Sequence, residues 1–325
     1  NVKGRGLAMV EDRILEFQTA LAIKAEDDFS RGRDLETLSM NMRENWNGKM
    51  ARRIPEIPQN PTLDLLKEDE RYIQALQEKD LLPIGYNHED ASIYSMSLGN
   101  NYCISILGKS RSGKTNILKI ILEDALRKEA DIAIVERDTS GYQRFQKTAE
   151  ENGCAYLTNS AQLFAYFEKI LPEFARRNKI KRGMMEKGAE DEEIIARMEQ
   201  EKPIFILIDH MKDFLEMVYH KDSNVGVMSG FLENITEKGI MHNIYFVGCI
   251  QQDDVNSLMS YRVYNNFVSY KKGIFIGGQI SSQKLFNFQG IPFSEQNRNL
   301  KKGLGIVTDD NEEGNGIEIV IPLVK

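Results

Sequence analysis

From Leu81 onward, short apolar runs alternate with stretches whose apolar residues recur at helical spacing. Ile93–Leu98, Tyr102–Leu107, Ile132–Val135, Ile204–Ile208, Ile244–Ile250 and Ile274–Ile276 predict strands, with helices between most of them. That alternation predicts an α/β fold, a largely parallel central sheet flanked by helices. The pattern upstream is different. Leu35, Leu38, Met42 and Trp46 fall three to four residues apart and predict a helix within residues 26–50. Pro55, Pro58 and Pro61 are three prolines within seven residues, which excludes helix and central strand and marks a linker. Thr62 then caps a helix expected to run toward Lys79.

The two ends of the chain share one grammar. Gly4-Arg5-Gly6 leads into Leu7–Val10, an acidic turn at Glu11-Asp12 and the strand-like Leu15–Leu21. Gly303-Leu304-Gly305 leads into Ile306–Thr308, an acidic turn at Asp309-Asp310 and Gly316–Leu323. Each reads as a hairpin. The expectation is that residues 1–25 close a preceding copy of the same module, 26–80 form a helical and Pro-rich linker region, and 81–325 form the main domain. The chain would be the last unit of a tandem array. It opens on Asn-Val-Lys-Gly rather than Met and reads as a piece of something longer.

Charge narrows the function classes. Lys and Arg total 42 against 49 Asp and Glu, a net charge of −7, which argues against a surface built for nucleic-acid backbones. At 41% hydrophobic and 28% charged residues, the chain is of ordinary globular type rather than disordered. No apolar run approaches the ~18 residues of a membrane span. Cys103, Cys154 and Cys249 stand singly with no CxxC, against a disulfide framework or a zinc site and in keeping with a reducing compartment. Arg176, Arg177, Lys179, Lys181 and Arg182 precede Glu190, Asp191, Glu192 and Glu193 with no aromatic interleaved. This reads as a solvated, self-pairing helical excursion. A groove lined by Met184, Met185, Met211 or Met217 is weaker than a core role for these residues.

The strongest chemical signal is Gly108-Lys109-Ser110-Arg111-Ser112-Gly113-Lys114-Thr115, which fits G-x-x-x-x-G-K-[ST] between a predicted strand and the helix Asn116–Arg127. The glycines let backbone N–H groups wrap phosphates. Lys114 supplies a point charge to the β- and γ-phosphates, and Thr115 offers its hydroxyl to Mg²⁺. Gly108 through Asn116 are therefore candidate ATP-binding residues. Ile204–Ile208 ends at Asp209, a candidate Mg²⁺ ligand together with Thr115 and a candidate catalytic residue. Where P-loop motors commonly place Glu next, this chain has His210, a candidate catalytic residue whose imidazole can act as a base near neutral pH but with a reach and geometry unlike a carboxylate's, and weak hydrolysis is expected. Tyr245–Ile250 ends at Gln251-Gln252; either glutamine has the reach to a γ-phosphate, and Gln251 is the candidate catalytic residue. Glu136 and Asp138 follow another strand, where a structural role is favoured. Arg262 and Arg298 are weaker candidates for trans-acting arginines in a ring.

These residues resemble the FtsK/SpoIIIE-type ATPases, and more narrowly the ATPases of type VII (ESX/WXG100) secretion, the EssC group. Gly4-Arg5-Gly6 leading to Phe17-Gln18-Thr19-Ala20-Leu21 is similar to the way one unit of that family closes. Leu82-Pro83-Ile84-Gly85 followed by Ser110–Asn116 is similar to the way the next begins. The resemblance implies a P-loop NTPase fold over residues 81–325, ATP and Mg²⁺ as cofactors, and a C-terminal ATPase unit. It also implies preceding ATPase units as partners, WXG100-type secreted proteins as substrates, a ring homo-oligomer, and a place on the cytoplasmic side of a membrane-anchored protein. Degenerate catalytic residues in the later units of that family agree with His210. The alternative is a motor that moves double-stranded DNA, against which the net charge argues, and DNA binding is not expected. A non-catalytic docking domain with a relic P-loop is the third reading.

Overall fold

The computed structural model describes residues 4–10, 13–20, 22–48, 56–98, 101–137, 144–220, 225–238, 241–308 and 315–325. Two units emerge, Asn1–Ile54 and Pro55–Lys325, with the division inside the proline-rich stretch. In the first, strands β1 (Arg5–Val10) and β2 (Arg13–Gln18) pair antiparallel, Arg5 opposite Gln18. Helix α1 (Asp28–Glu44) follows. The Asp27 carboxylate caps it by accepting from the Ser30 N–H at 2.7 Å. This is the helix predicted around Leu35, Leu38 and Met42, and it buries none of its residues. Glu11, Asp12 and Leu21, and Arg53 to Pro55 of the linker, lie outside the described residues.

The second unit begins with two short helices where one was expected. Thr62 caps α2 (Leu63–Lys67), and Asp69 caps α3 (Glu70–Gln77) by accepting from the Arg71 N–H at 2.9 Å. Asp69 competes for the backbone and restarts the helix. Leu63, Leu66 and Tyr72 are buried in the main core.

Among the described residues ten strands follow in one sheet: β3 (Leu81–Asn87), β4 (Ile93–Ser97), β5 (Cys103–Gly108), β6 (Asp131–Val135), β7 (Ala155–Leu157), β8 (Ile204–Ile208), β9 (Ile244–Gln251), β10 (Gly273–Gln279), β11 (Asn299–Thr308) and β12 (Gly316–Val320). Their spatial order is β4-β3-β12-β11-β10-β5-β9-β8-β6-β7. From β10 to β7 every pairing is parallel, and from β4 to β10 every pairing is antiparallel. Helices α4 (Lys114–Arg127), α5 (Gln146–Asn152), α6 (Ser160–Met185), α7 (Asp191–Met198), α8 (Met211–Val218), α9 (Val225–Lys238), α10 (Val255–Leu258) and α11 (Arg262–Val268) fill the crossovers of the parallel part. Every residue of β5 and β8 is buried, as is all of β9 but Gln251. Helices on both faces of the sheet require such continuous apolar runs rather than alternation. The central position of β9, between β5 and β8, brings the C-terminal ends of all three side by side.

The predicted terminal hairpin is β11–β12, which joins β3 to the parallel strands; Asp309 and Asp310 in its turn lie outside the described residues. Beyond β12 the chain closes back on the start of the unit. The Leu323 N–H donates to the Pro61 carbonyl at 2.9 Å, and the Leu63 N–H to the Leu323 carbonyl at 3.0 Å.

One buried acid links α3 to α4. Asp124 is fully buried and accepts a hydrogen bond from the Tyr72 hydroxyl, while its other oxygen has no partner among the described residues. Burial, only partly offset by Tyr72, pushes its carboxyl up to about 7 from 3.8. Folding therefore takes up a proton between these values. Its effect on stability is smallest below the unfolded value, and stability falls as pH rises toward about 7, by at most ~1.4 kcal/mol per pH unit. Asp124→Asn is expected to remove that slope and to be the more stable form at pH 8. Parallel urea titrations of parent and variant from pH 5 to pH 8 check this, and identical pH slopes would refute it.

Candidate functional site

Strand β5 delivers the chain to Gly108 at the C-terminal edge of the sheet. A Cβ there would lie 2.3 Å from the Ile276 carbonyl oxygen and 2.5 Å from Ser112 Oγ, so only glycine lets the loop turn this close to β10. Gly113 starts α4 at φ +108° and gives it no side-chain cap, so the amides of its first turn face the loop. Ser112 Oγ is buried with no hydrogen-bond partner among the described residues. Lys109, Ser110 and Arg111 are exposed at the loop's crest.

Lys114 points back across this loop. Its Nζ donates to the carbonyls of Lys109 (2.7 Å) and Gly108 (3.0 Å) and to Gln251 Oε1 (2.9 Å). Burial lowers its pKa. The side chain thus joins the loop to the tip of β9. The second glutamine is turned elsewhere, since Gln252 Nε2 donates to the Ser282 carbonyl at 2.9 Å and to Ser282 Oγ at 3.1 Å. Asn116 is also spent outside the loop. Its Nδ2 donates to the Pro322 carbonyl at 2.8 Å, and its Oδ1 accepts from the Val324 N–H at 2.9 Å.

Thr115 Oγ1 donates to Asp209 Oδ1 at 3.0 Å, joining residues 94 apart in sequence. Asp209 follows β8 and is nearly buried, and burial raises its pKa against the opposing pull of Arg144 and Thr115. Arg144 is the residue that the sequence pattern misses. Its Nη1 lies 3.0 Å from Asp209 Oδ2 and 3.2 Å from Thr115 Oγ1. A lone arginine outside any motif spacing gives no signal in sequence.

His210, next along, has its ring between two acids. Nδ1 is 3.2 Å from Asp213 Oδ2, and Nε2 is 3.7 Å from Asp254 Oδ2. Asp213 chiefly, with Asp254 and Asp209, raises its pKa against the opposing effect of burial. Glu136 is buried and serves as a clamp. It accepts from the backbone N–H groups of Arg144 (2.9 Å) and Phe145 (3.0 Å) and from the Tyr156 hydroxyl (3.0 Å). Asp138 lies outside the described residues. Arg262 pairs with Glu233 and Glu237, and Arg298 with Glu295 and Glu318. Met211 and Met217 are core residues, whereas Met185 is exposed.

Among the described residues no three His, Cys, Asp or Glu side chains are placed to hold a metal together. A hydroxyl beside one carboxylate fits Mg²⁺, which keeps waters and takes phosphate oxygens rather than a full protein cage. The cradle at Gly108, the Ser112 Oγ without a partner among the described residues and the uncapped start of α4 fit phosphate oxygens.

No protein-family model and no curated protein matches the sequence. Solved structures do. The cytoplasmic domain of EssC is 18% identical with a TM-score of 0.67, over 100% of this chain and 59% of that one. The pCW3 conjugation coupling protein TcpA, a monomer form with ATPγS, is 15% identical with a TM-score of 0.58, over 90% of this chain and 82% of that one. Thermomonospora curvata EccC (ATPases 2 and 3), in complex with a signal sequence peptide, is 14% identical with a TM-score of 0.52, over 99% of this chain and 53% of that one. The chain spans a little over half the length of the EssC and EccC structures. Its fold is that of the P-loop ATPase domains of these secretion and coupling proteins.

Proposed function

We propose that this chain is an ATP-binding module of a type VII protein-secretion ATPase, in which nucleotide binding governs assembly or capture of WXG100-type cargo more than turnover. The observation that carries the reading is the meeting of Thr115 and Asp209 beside Lys114. In this reading Lys114 meets the β- and γ-phosphates, and Thr115 with Asp209 holds Mg²⁺. Gln251, on Lys114, stands toward the γ-phosphate. The ion, when bound, offsets phosphate charge. The likeness to an EccC bound to a signal sequence peptide supports a secreted protein as cargo. Residues 1–25 are then the closing hairpin of a preceding unit and 26–80 lead into the ATPase domain of 81–325, whose core also takes in Leu63, Leu66 and Tyr72. The assembled protein would be a ring on the cytoplasmic side of a membrane anchor. No helix among the described residues is long and apolar enough to cross a membrane.

Weak turnover follows from His210. Both ring nitrogens face carboxylates, and an imidazole so held does not replace a glutamate base. The parent is expected to turn over Mg·ATP well below about 1 s⁻¹. His210→Glu is expected to raise this roughly tenfold, less than a full general-base contribution because Asp213 and Asp254 repel the new carboxylate. A phosphate-release assay decides. Several turnovers per second in the parent would make it a working motor. Turnover stimulated by duplex DNA, with salt-sensitive binding, would favour the translocase reading.

A further inference from the structure

Arg144 bridges the same two groups that the proposed site assigns to Mg²⁺. Its Nη1 is 3.0 Å from Asp209 Oδ2 and 3.2 Å from Thr115 Oγ1, while those two residues bond each other at 3.0 Å. Magnesium demands oxygen ligands at about 2.0–2.1 Å in near-octahedral array. A guanidinium bound to both side chains, which also bond each other, competes for the oxygens that shell would use. One cation or the other can hold the pair.

Electrostatics favours one of them being there at all times. Asp209 is nearly buried, and a buried carboxylate without a counter-charge is costly. Arg144 is about half exposed at its side chain, so its guanidinium can withdraw into water at small cost. Its backbone, by contrast, is anchored. Glu136 accepts from the N–H groups of Arg144 and Phe145, and the Phe145 side chain is buried. The arrangement is a fixed base carrying a retractable charge.

We propose that Arg144 is a built-in stand-in for Mg²⁺, which balances Asp209 and must be displaced before Mg·ATP is held. Glu136 is the positioning residue that aims it. The proposal rests on the nucleotide reading of the P-loop, and its test separates the two. A fluorescent ATP analogue is titrated against the full chain with Mg²⁺ and, separately, with EDTA. Arg144→Ala is expected to tighten binding about tenfold with Mg²⁺ and not with EDTA, the factor by which an occluding conformer populated at about 90% weakens the parent. Arg144→Lys should fall between parent and Arg144→Ala, because an ammonium makes a poorer bridge. Glu136→Gln should shift Mg²⁺-dependent binding in the same direction as Arg144→Ala. A merely structural loss at Glu136 would weaken both conditions alike.

Mn²⁺ alone, followed by electron paramagnetic resonance, gives a readout that needs no nucleotide. Arg144→Ala is expected to gain Mn²⁺ binding that the added change Asp209→Asn abolishes. Loss of analogue affinity in Arg144→Ala, equal with Mg²⁺ and EDTA, would make Arg144 a phosphate contact and overturn the proposal. No change in either titration would overturn it too. Absence of analogue binding in the parent, unaltered by Lys114→Ala, would sink the nucleotide reading; the Mn²⁺ result would then still decide the role of Arg144.

Discussion

Lys114→Ala is expected to weaken Mg·ATP binding roughly 10–100-fold, the span set by losing one or two charge-assisted hydrogen bonds to phosphate. The geometry says why alanine cannot compensate. The ammonium is held within 3.0 Å of three oxygens, the carbonyls of Gly108 and Lys109 and Gln251 Oε1, directly over the loop. Burial has already lowered its pKa, so its charge acts where water screens it little. The substitution also strips a donor from those three acceptors, at a cost to stability of about 1–3 kcal/mol. Thermal melts must therefore accompany the binding curves, and Lys114→Gln, which keeps a donor without the charge, separates the two losses. Calorimetric titration of parent and both variants is the measurement. Unchanged affinity in Lys114→Ala, with the fold intact, would move the nucleotide away from this loop.

The largest effect on stability is expected from Arg177→Met, about 3–5 kcal/mol, or a fall in Tm of roughly 10 °C for a unit of this size. Arg177 is buried on α6. Its Nη1 donates to the carbonyls of His242 (2.9 Å) and Asn243 (3.1 Å), Nη2 to that of Lys202 (2.8 Å), and Nε to Glu173 Oε1 (2.7 Å). Those carbonyls belong to the segments that enter β8 and β9. Methionine fills similar volume yet withdraws four donor contacts, from three carbonyls and the Glu173 carboxylate, of which the Asn243 carbonyl keeps the Ile204 N–H and Glu173 keeps Arg176. Glu173, pulled down to about 2 by Arg176 first and then by Arg177, adds stability that is present above about pH 4.5 and lost as pH falls toward 2. Urea denaturation of parent and Arg177→Met checks the magnitude, and a change below 1 kcal/mol would contradict it.

Arg177 also marks where reading the sequence stops. The run from Arg176 to Arg182 was expected to be a solvated, self-pairing face. Arg176 obeys, pairing with Glu173 and Glu201 in the open, whereas Arg177 is buried and organises two loops. Nothing in composition distinguishes two adjacent arginines. The buried strands β5, β8 and β9 were legible because helices on both faces demand unbroken apolar runs. Strand β3 is not among the predicted strands, and it contains Pro83 and Gly85, residue types that disfavour a strand interior. A register shift between them, and pairing with β12 only at Tyr86 and Asn87, is what accommodates both. Strand β7 is three residues long and leaves no pattern to detect. At the candidate site, the loop and Asp209 declare themselves by spacing after strands. Arg144, Asp213 and Asp254 reach it only through the fold, and Asn116 sits within the motif while its side chain serves the C-terminal segment.

That use of Asn116 has a mechanical meaning. The backbone at Pro61 and Leu63 is laced to Leu323, and the neighbouring Pro322 and Val324 are held by Asn116 on the opening turn of α4. Entry and exit of the second unit are thus fastened together, and the fastening reaches the residue that directly follows Thr115.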